Sequence, residues 1–152
     1  MRKYISKYIT YKEYQCSCCH RLPSEFYHSN GGRKDEVPLI YMPLFSDFCD
    51  IREKWGKPIH ITSGYRCPDH QQRLIDSGMS SPISAHMFGL ALHMDCKDVK
   101  EVEKLYKVIK SVDASLRIGY YTQAGTFIHI DTIYLARPQL SKAWLEGVTW
   151  SR

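Results

Sequence analysis

Long apolar runs are missing from this chain. No stretch approaches the ~18 consecutive apolar residues that a membrane-spanning helix needs, so no span is expected. The opening residues, Met1-Arg2-Lys3-Tyr4-Ile5-Ser6-Lys7-Tyr8, are positively charged but have neither the apolar stretch nor the cleavage site of a secretory leader. Synthesis in the cytosol is the expectation. Basic runs are missing too. Lys and Arg (21) outnumber Asp and Glu (16), for a net charge of +5 and an isoelectric point near 8.9, but the cations are scattered and form no known nucleic-acid motif. No nucleic-acid partner is therefore expected. Internal repeats and low-complexity segments are also absent, which leaves a single domain over residues 1–152. With 43% hydrophobic and 24% charged residues, that length suffices for a real core.

Against this ordinary background one stretch stands out: Ser84-Ala85-His86-Met87-Phe88-Gly89-Leu90-Ala91-Leu92-His93-Met94-Asp95. Gly89 permits a turn or a close backbone approach. Leu90 to Met94 then reads as a strand, and alternation puts His93 and Asp95 on one face. His86, ahead of the turn, can fold back toward them. A second candidate strand, Thr126-Phe127-Ile128-His129-Ile130-Asp131, puts His129 and Asp131 on a common face. Side by side, the two strands let His86, His93 and His129 converge, and three protein ligands with an open fourth position make a catalytic zinc site. Any one of these histidines alone reads as an ordinary hydrogen-bonded, half-buried residue.

The rest of the chain supplies a frame. Residues 1–15, rich in Tyr and Lys, read as an edge strand. Ser29 to Asp35 is a loop by composition. From Pro38 to Trp55, Leu39, Met42, Phe45, Phe48, Ile51 and Trp55 recur at helical spacing, with Pro38 suiting the first turn and Gly56 the end. Pro58 to Thr62 is a strand, Asp69 to Ser77 a short helix ended by Gly78, and Val99 to Val112 a helix that should cover the sheet. Leu116 to Tyr121 and the His129 strand form a hairpin through Thr122 to Gly125. Leu140, Trp144 and Trp150 are expected to pin the tail to the body. Strands from separated positions with helices between them predict an α+β fold, a mostly antiparallel central sheet with helices packed on one face.

Six cysteines stand at positions 16, 18, 19, 49, 67 and 96. A cytosolic origin favours thiols over disulfides. Cys16 and Cys19 have the spacing of a first zinc-binding pair, with His20, His28 or Cys49 as sources of a second. A structural metal, a disulfide to Cys49 or another thiol, and free thiols all stay open.

Three ordered segments resemble a known family. Ile61-Thr62-Ser63-Gly64-Tyr65-Arg66-Cys67-Pro68, then Ser84 to His93, then Arg117-Ile118-Gly119-Tyr120 with Phe127 to Asp131, occur in the order of the zinc D-alanyl-D-alanine carboxypeptidases. That family includes phage endolysin peptidases and shares its core with the hedgehog signalling domain. The resemblance covers about residues 38–144, preceded by a cysteine-containing segment, 1–37. It implies a Zn2+-dependent peptidoglycan hydrolase, a carboxypeptidase or endopeptidase acting on stem peptides that contain D-amino acids. Such an enzyme made without a leader reaches the cell wall after lysis or release, or as part of a phage particle. A mildly basic face suits that anionic wall. A monomer is expected. The alternative is an inactive, zinc-bearing binding module of the same fold.

Residue by residue, the resemblance implies His86, His93 and His129 as metal ligands, with Arg66 and Ser84 beside the substrate. Arg66 can hold a carboxylate bidentately or steady an oxyanion. There is one departure. The family motif S-x-H-x-x-G-x-A-x-D closes on a ligand aspartate, and the matching residue here is His93. Either His93 replaces it, or Asp95, about 6.6 Å further along the strand, reaches the metal after a local shift. We take His93, because imidazole suits zinc and needs no shift. The general base is also irregular. Relatives place it two or three residues before the last ligand, where this chain has Phe127 and Thr126. Asp131 is the candidate in its place, or else it orients a ligand histidine; Asp95 is another candidate.

Overall fold

Hydrophobic spacing sets the two long helices of the computed structural model, which describes residues 4–23, 40–136 and 147–152. Helix α1 is a single turn, Tyr11–Tyr14. Helix α2, Met42–Trp55, buries Leu44, Phe45, Phe48 and Ile51 along one stripe. Pro43, rather than Pro38, occupies its first turn, and Gly56 closes it at φ 79°; Pro38 lies outside the described residues. Helix α3 spans Pro68–Asp76. Helix α4, Val99–Val112, starts where Asp98 accepts a hydrogen bond from the Glu101 backbone N–H at 2.8 Å, and it buries Val102, Leu105 and Ile109. Each such side chain contributes about 1.5–3 kcal/mol by leaving water. No helix among the described residues is long and apolar enough to cross a membrane.

The five strands are β1 (Ile61–Ser63), β2 (Ala91–Asp95), β3 (Arg117–Tyr121), β4 (Phe127–Asp131) and β5 (Thr149–Ser151), in spatial order β1-β2-β4-β3-β5. All neighbours are antiparallel except β3 and β5, so the α+β, mostly antiparallel architecture read from the sequence is the one observed. Alternation sorts the two faces. Leu92 and Met94 of β2, Ile118 and Tyr120 of β3, and Ile128 and Ile130 of β4 join the buried faces of α2 and α4 in one core. The intervening residues, His93, Gly119, His129 and their row neighbours, turn to the opposite face.

Of the edge strand expected over residues 1–15, none forms among the described residues, 4–15. Tyr4 and Thr10 make one isolated antiparallel bridge. The chain then enters α1 through a capping box, in which Thr10 Oγ1 accepts from the Glu13 N–H and Glu13 Oε2 accepts from the Thr10 N–H at 2.8 Å. This reciprocal cap satisfies backbone donors that an edge strand would leave bare, so local chemistry outweighs the Tyr-rich strand propensity. The Ser29 to Asp35 loop, Leu140 and Trp144 lie outside the described residues. Trp150 does pack on the body, from a short parallel strand that composition alone did not announce.

Helices α2 and α4 also bring two carboxyls together. Asp47 on α2 meets Asp113 just past α4, and burial, with the negative charges of Asp113 and Asp50, pushes its carboxyl up to about 7. A folded-state value above the unfolded one, about 3.9, gives stability that is full in acid and is lost as pH rises through 7. Asp47→Asn is therefore expected to raise Tm at pH 8 and to leave it nearly unchanged at pH 4. Thermal melts of the two proteins at both pH values check this.

Candidate metal centre

Register across the sheet aligns one row of residues: Ser63 on β1 opposite His93 on β2, His93 opposite His129 on β4, His129 opposite Gly119 on β3, and Gly119 opposite Trp150 on β5. Two histidines in directly facing positions are thus presented side by side on the face away from the helices. His86 arrives from a separate element. A single 3-10 turn, Ala85–Phe88, is capped by Ser84, whose hydroxyl accepts from the His86 N–H at 3.4 Å. Gly89 ends it at φ 69°. Glycine is required there twice over: the left-handed backbone disfavours a side chain, and a Cβ would collide with the Tyr14 hydroxyl and with Pro23 Cγ at 2.8 Å.

The N-terminal segment supports this turn from beneath. Tyr14 is fully buried and donates its hydroxyl to the Gly89 carbonyl at 2.6 Å, while its own carbonyl accepts from the Tyr65 N–H at 2.7 Å. Burial pushes the Tyr14 phenol well above its ordinary range, so it stays a donor. The Arg66 N–H donates to the His86 carbonyl at 3.1 Å.

His86, His93 and His129 each offer one ring nitrogen, and these three atoms all lie within 4.8 Å of one another. The hydrogen bonds of His86 and His129 assign their tautomers. His86 Nδ1 lies 2.6 Å from the Gly64 carbonyl and must donate, which leaves Nε2 as a bare acceptor. That Nε2 is buried and has no hydrogen-bond partner among the described residues. His129 Nε2 lies 2.7 Å from Asp131 Oδ2 and donates there, so its Nδ1 lone pair faces His93 Nε2 at 3.1 Å. Burial, then the neighbouring His93, Arg66 and His129, holds His86 well below the ordinary imidazole range; burial, then His129 and Arg66, does the same for His93. A neutral ring with its lone pair turned inward is what a divalent cation requires of an imidazole ligand. An orphaned buried Nε2 costs free energy that a cation removes. The donor set fits zinc.

Asp131 is fully engaged. It is 1% exposed, takes two contacts from Arg117 Nη1 at 3.0 and 3.1 Å, and accepts from His129 Nε2 and from the Ile133 N–H at 3.2 Å. Asp95, the rival of His93, is exposed at the far end of β2, opposite Phe127, and stands outside the three-histidine group. Arg66 is half-buried. Its Nε donates to Ser63 Oγ at 3.2 Å and its Nη1 to Gln71 Oε1 at 3.4 Å. Burial lowers the guanidinium to about 10, with Tyr121 and Cys16 opposing that shift, and it remains charged at neutral pH.

These residues line one cleft of about 330 Å³. Arg66, Ser84, His86, His93 and His129 all reach it, and Asp131 is the only carboxylate among the described lining residues. Three further residues contribute to the site without having been expected there. Arg117 neutralises Asp131, Trp150 sets its ring 5.2 Å from that of His129 and tilted by 53°, and Gly119 leaves room for that ring. A Cβ at Gly119 would collide with the Trp150 indole. Gly119 and Arg117 were visible in the Arg117-Ile118-Gly119-Tyr120 segment; Trp150 carried no signal beyond being an apolar residue in the tail.

The sequence profile of the family described as Peptidase M15 matches residues 8–131, which include Cys16, Cys18, Cys19, Cys67 and all three histidines. No curated protein sequence matches the chain.

Proposed function

Since the chain belongs to the peptidase M15 family, and so is a peptidase by family, we propose that it is a zinc-dependent hydrolase of peptidoglycan stem peptides containing D-amino acids. One observation carries the reading: three imidazoles, one with an orphaned buried nitrogen, converge in a cleft that Arg66 also lines. His86, His93 and His129 would hold the ion. A zinc ion held there would supply a Lewis acid for a scissile carbonyl and a water of lowered pKa.

The chain's own residues do the rest. Arg66, a fixed cation with a planar fork, binds a peptide carboxylate or steadies the developing oxyanion. The cleft is cationic, with Arg66 and Arg152 on its walls and Arg117 offset by Asp131, and it suits an anionic peptide. Ser84 shapes the wall beside His86 through the cap it makes. Asp131 acts on His129, holding the proton on Nε2 so that the Nδ1 lone pair points inward. The role of free base falls to no carboxylate of the described cleft. Phe127, where relatives carry a base, stacks on Tyr121 with ring centres 4.2 Å apart and the planes 9° from parallel, and packs beside His93, keeping water from that side. Action on the cell wall, phage origin and a monomeric state belong to the same proposal.

Asp131→Asn tests the positioning role. An amide can present its N–H₂ to His129, reversing the tautomer, and leaves Arg117 without its counter-charge. Zinc affinity and turnover are each expected to drop about 10–100-fold, read by competition with a chelating dye and by peptide hydrolysis. Equal affinity in both proteins would show that Asp131 does not orient His129.

The function itself is tested by incubating the zinc-loaded chain with a synthetic stem pentapeptide ending in D-Ala-D-Ala and with intact peptidoglycan, with mass spectrometry of the products. Release of D-alanine marks a carboxypeptidase, and internal fragments mark an endopeptidase. The lack of an unengaged carboxylate in the described cleft favours one rival, a zinc-bearing binding module of the same fold. Stoichiometric zinc with neither product formed would establish that rival instead.

A further inference from the structure

Four cysteine sulfurs meet behind the cleft. Cys16, Cys18, Cys19 and Cys67 have Sγ atoms that all lie within 4.8 Å of one another, with Cys16 to Cys18 at 3.5 Å and Cys18 to Cys67 at 3.4 Å. All four are free thiols. A tetrahedron built on Zn–S bonds of about 2.3 Å has S···S edges of about 3.8 Å, the spacing this cluster already approaches. We propose that Cys16, Cys18, Cys19 and Cys67 form a structural zinc site, distinct from the histidine centre. It does not depend on what the cleft hydrolyses.

The local backbone is built for sulfur anions. Residues 16–21 close a tight loop in which the Cys16 N–H donates to the Arg21 carbonyl at 2.9 Å and the His20 N–H to the Cys16 carbonyl at 2.8 Å, with His20 in the left-handed region at φ 57°. That turn is what lets three cysteines within four positions aim at one point. Cys67 comes from the far side, as the N-cap of the nine-residue helix α3. Its own N–H donates to Cys16 Sγ at 3.4 Å, and the His70 N–H donates to Cys67 Sγ at 3.4 Å. His70 Nδ1 lies 3.5 Å from Cys16 Sγ. Four thiolates and one Zn2+ carry a net charge of −2, and these donors at a helix N-terminus offset it. Cys49, which the sequence offered as a partner, instead faces Ser6 Oγ at 3.4 Å. His20 Nδ1 faces the Gln15 side-chain amide.

The site would clamp the N-terminal loop to the turn that carries the chemistry. Cys67 follows Arg66 directly, and Gly64, three residues before it, supplies the carbonyl that fixes the His86 tautomer. A zinc clip here holds Arg66 and His86 in register from outside the cleft. Binding releases the thiol protons and oxidises nothing.

The 152-residue chain, loaded with zinc and desalted, is expected to carry two zinc ions, and X-ray absorption at the zinc edge should show sulfur at about 2.3 Å beside nitrogen and oxygen. Cys18→Ser should carry one ion with no sulfur shell. His86→Ala should also carry one, now with an all-sulfur shell, so failure of the histidine centre and failure of this site read differently. A third measurement needs no variant. Cys18 is exposed, and its alkylation by iodoacetamide, followed by peptide mass spectrometry, should be slowed at least tenfold by zinc and restored by a chelator. One zinc per wild-type chain without sulfur ligation, or alkylation of Cys18 at equal rates with and without zinc, would overturn the proposal.

Discussion

His86→Ala should abolish peptide hydrolysis and strip the cleft of its zinc. The ring is almost wholly buried, its Nδ1 is committed to the Gly64 carbonyl, and its Nε2 has no other partner among the described residues. Removing it leaves two imidazoles on adjacent strands, too few for a closed set of three protein ligands. The substitution also deletes a buried side chain, which costs stability, so circular dichroism must accompany the assay. His93→Ala should do the same with less structural damage, because His93 is only half-buried on its strand. Asp95→Ala should keep both metal and activity, since Asp95 is exposed and outside the histidine group. Zinc in the cleft is read by its nitrogen and oxygen shell in X-ray absorption. Loss of that shell in Asp95→Ala together with its retention in His93→Ala would reverse the ligand assignment.

The histidine centre was legible because its logic is local. Period-two alternation put His93 and His129 on the polar faces of their strands, and a glycine turn allowed His86 to fold back. What alternation cannot state is which residues face each other. His93 meets His129 because β2 lies beside β4, and that order depends on packing among α2, α4 and the strands they cover. The same holds for the missed residues. The Arg117 partner is on the next strand, in the register Arg117 to Asp131, so its role is invisible until the hairpin closes. Trp150 sits on a three-residue strand that pairs in parallel, too short to show a period. Cys67 was read as part of the Arg66 segment; its sulfur contacts Cys18 from 49 residues away, a separation over which spacing rules carry no information.

The engagement of Asp131 changes the expected division of labour. A carboxylate two residues past a ligand histidine, on its face, could be base or orienter on sequence grounds alone. The ion pair with Arg117, buried on both sides, is what tilts the choice, since a group holding a cation and an imidazole proton has little capacity left to accept another. Three imidazole ligands would leave a bound cation its full double charge and would make its water more acidic than a site with one acidic ligand. A weaker proton acceptor would then suffice. His93→Asp, which restores the family residue, should keep zinc but move the acid limb of the pH–rate profile upward.

Arg66→Ala should leave both zinc sites loaded and cut turnover by about 10²–10³, the effect of deleting one donor to a developing oxyanion, roughly 2.7–4 kcal/mol of transition-state stabilisation. Arg66 is held by Ser63 and Gln71 and by a backbone bond to His86, and it contributes no ligand atom to either cluster. Its partial burial sets the expected size of the effect: an interaction with a substrate anion would be screened less there than at an exposed site. The kinetic split reports which anion it serves. A rise in KM with kcat unchanged assigns it to the peptide carboxylate, and a fall in kcat with KM unchanged assigns it to the oxyanion. Arg66→Lys keeps the charge but loses the planar fork, so it should recover only part of the rate if the contact is bidentate. Unchanged kcat/KM in Arg66→Ala would place the substrate elsewhere in the cleft and leave Arg66 as a strut for the His86 turn.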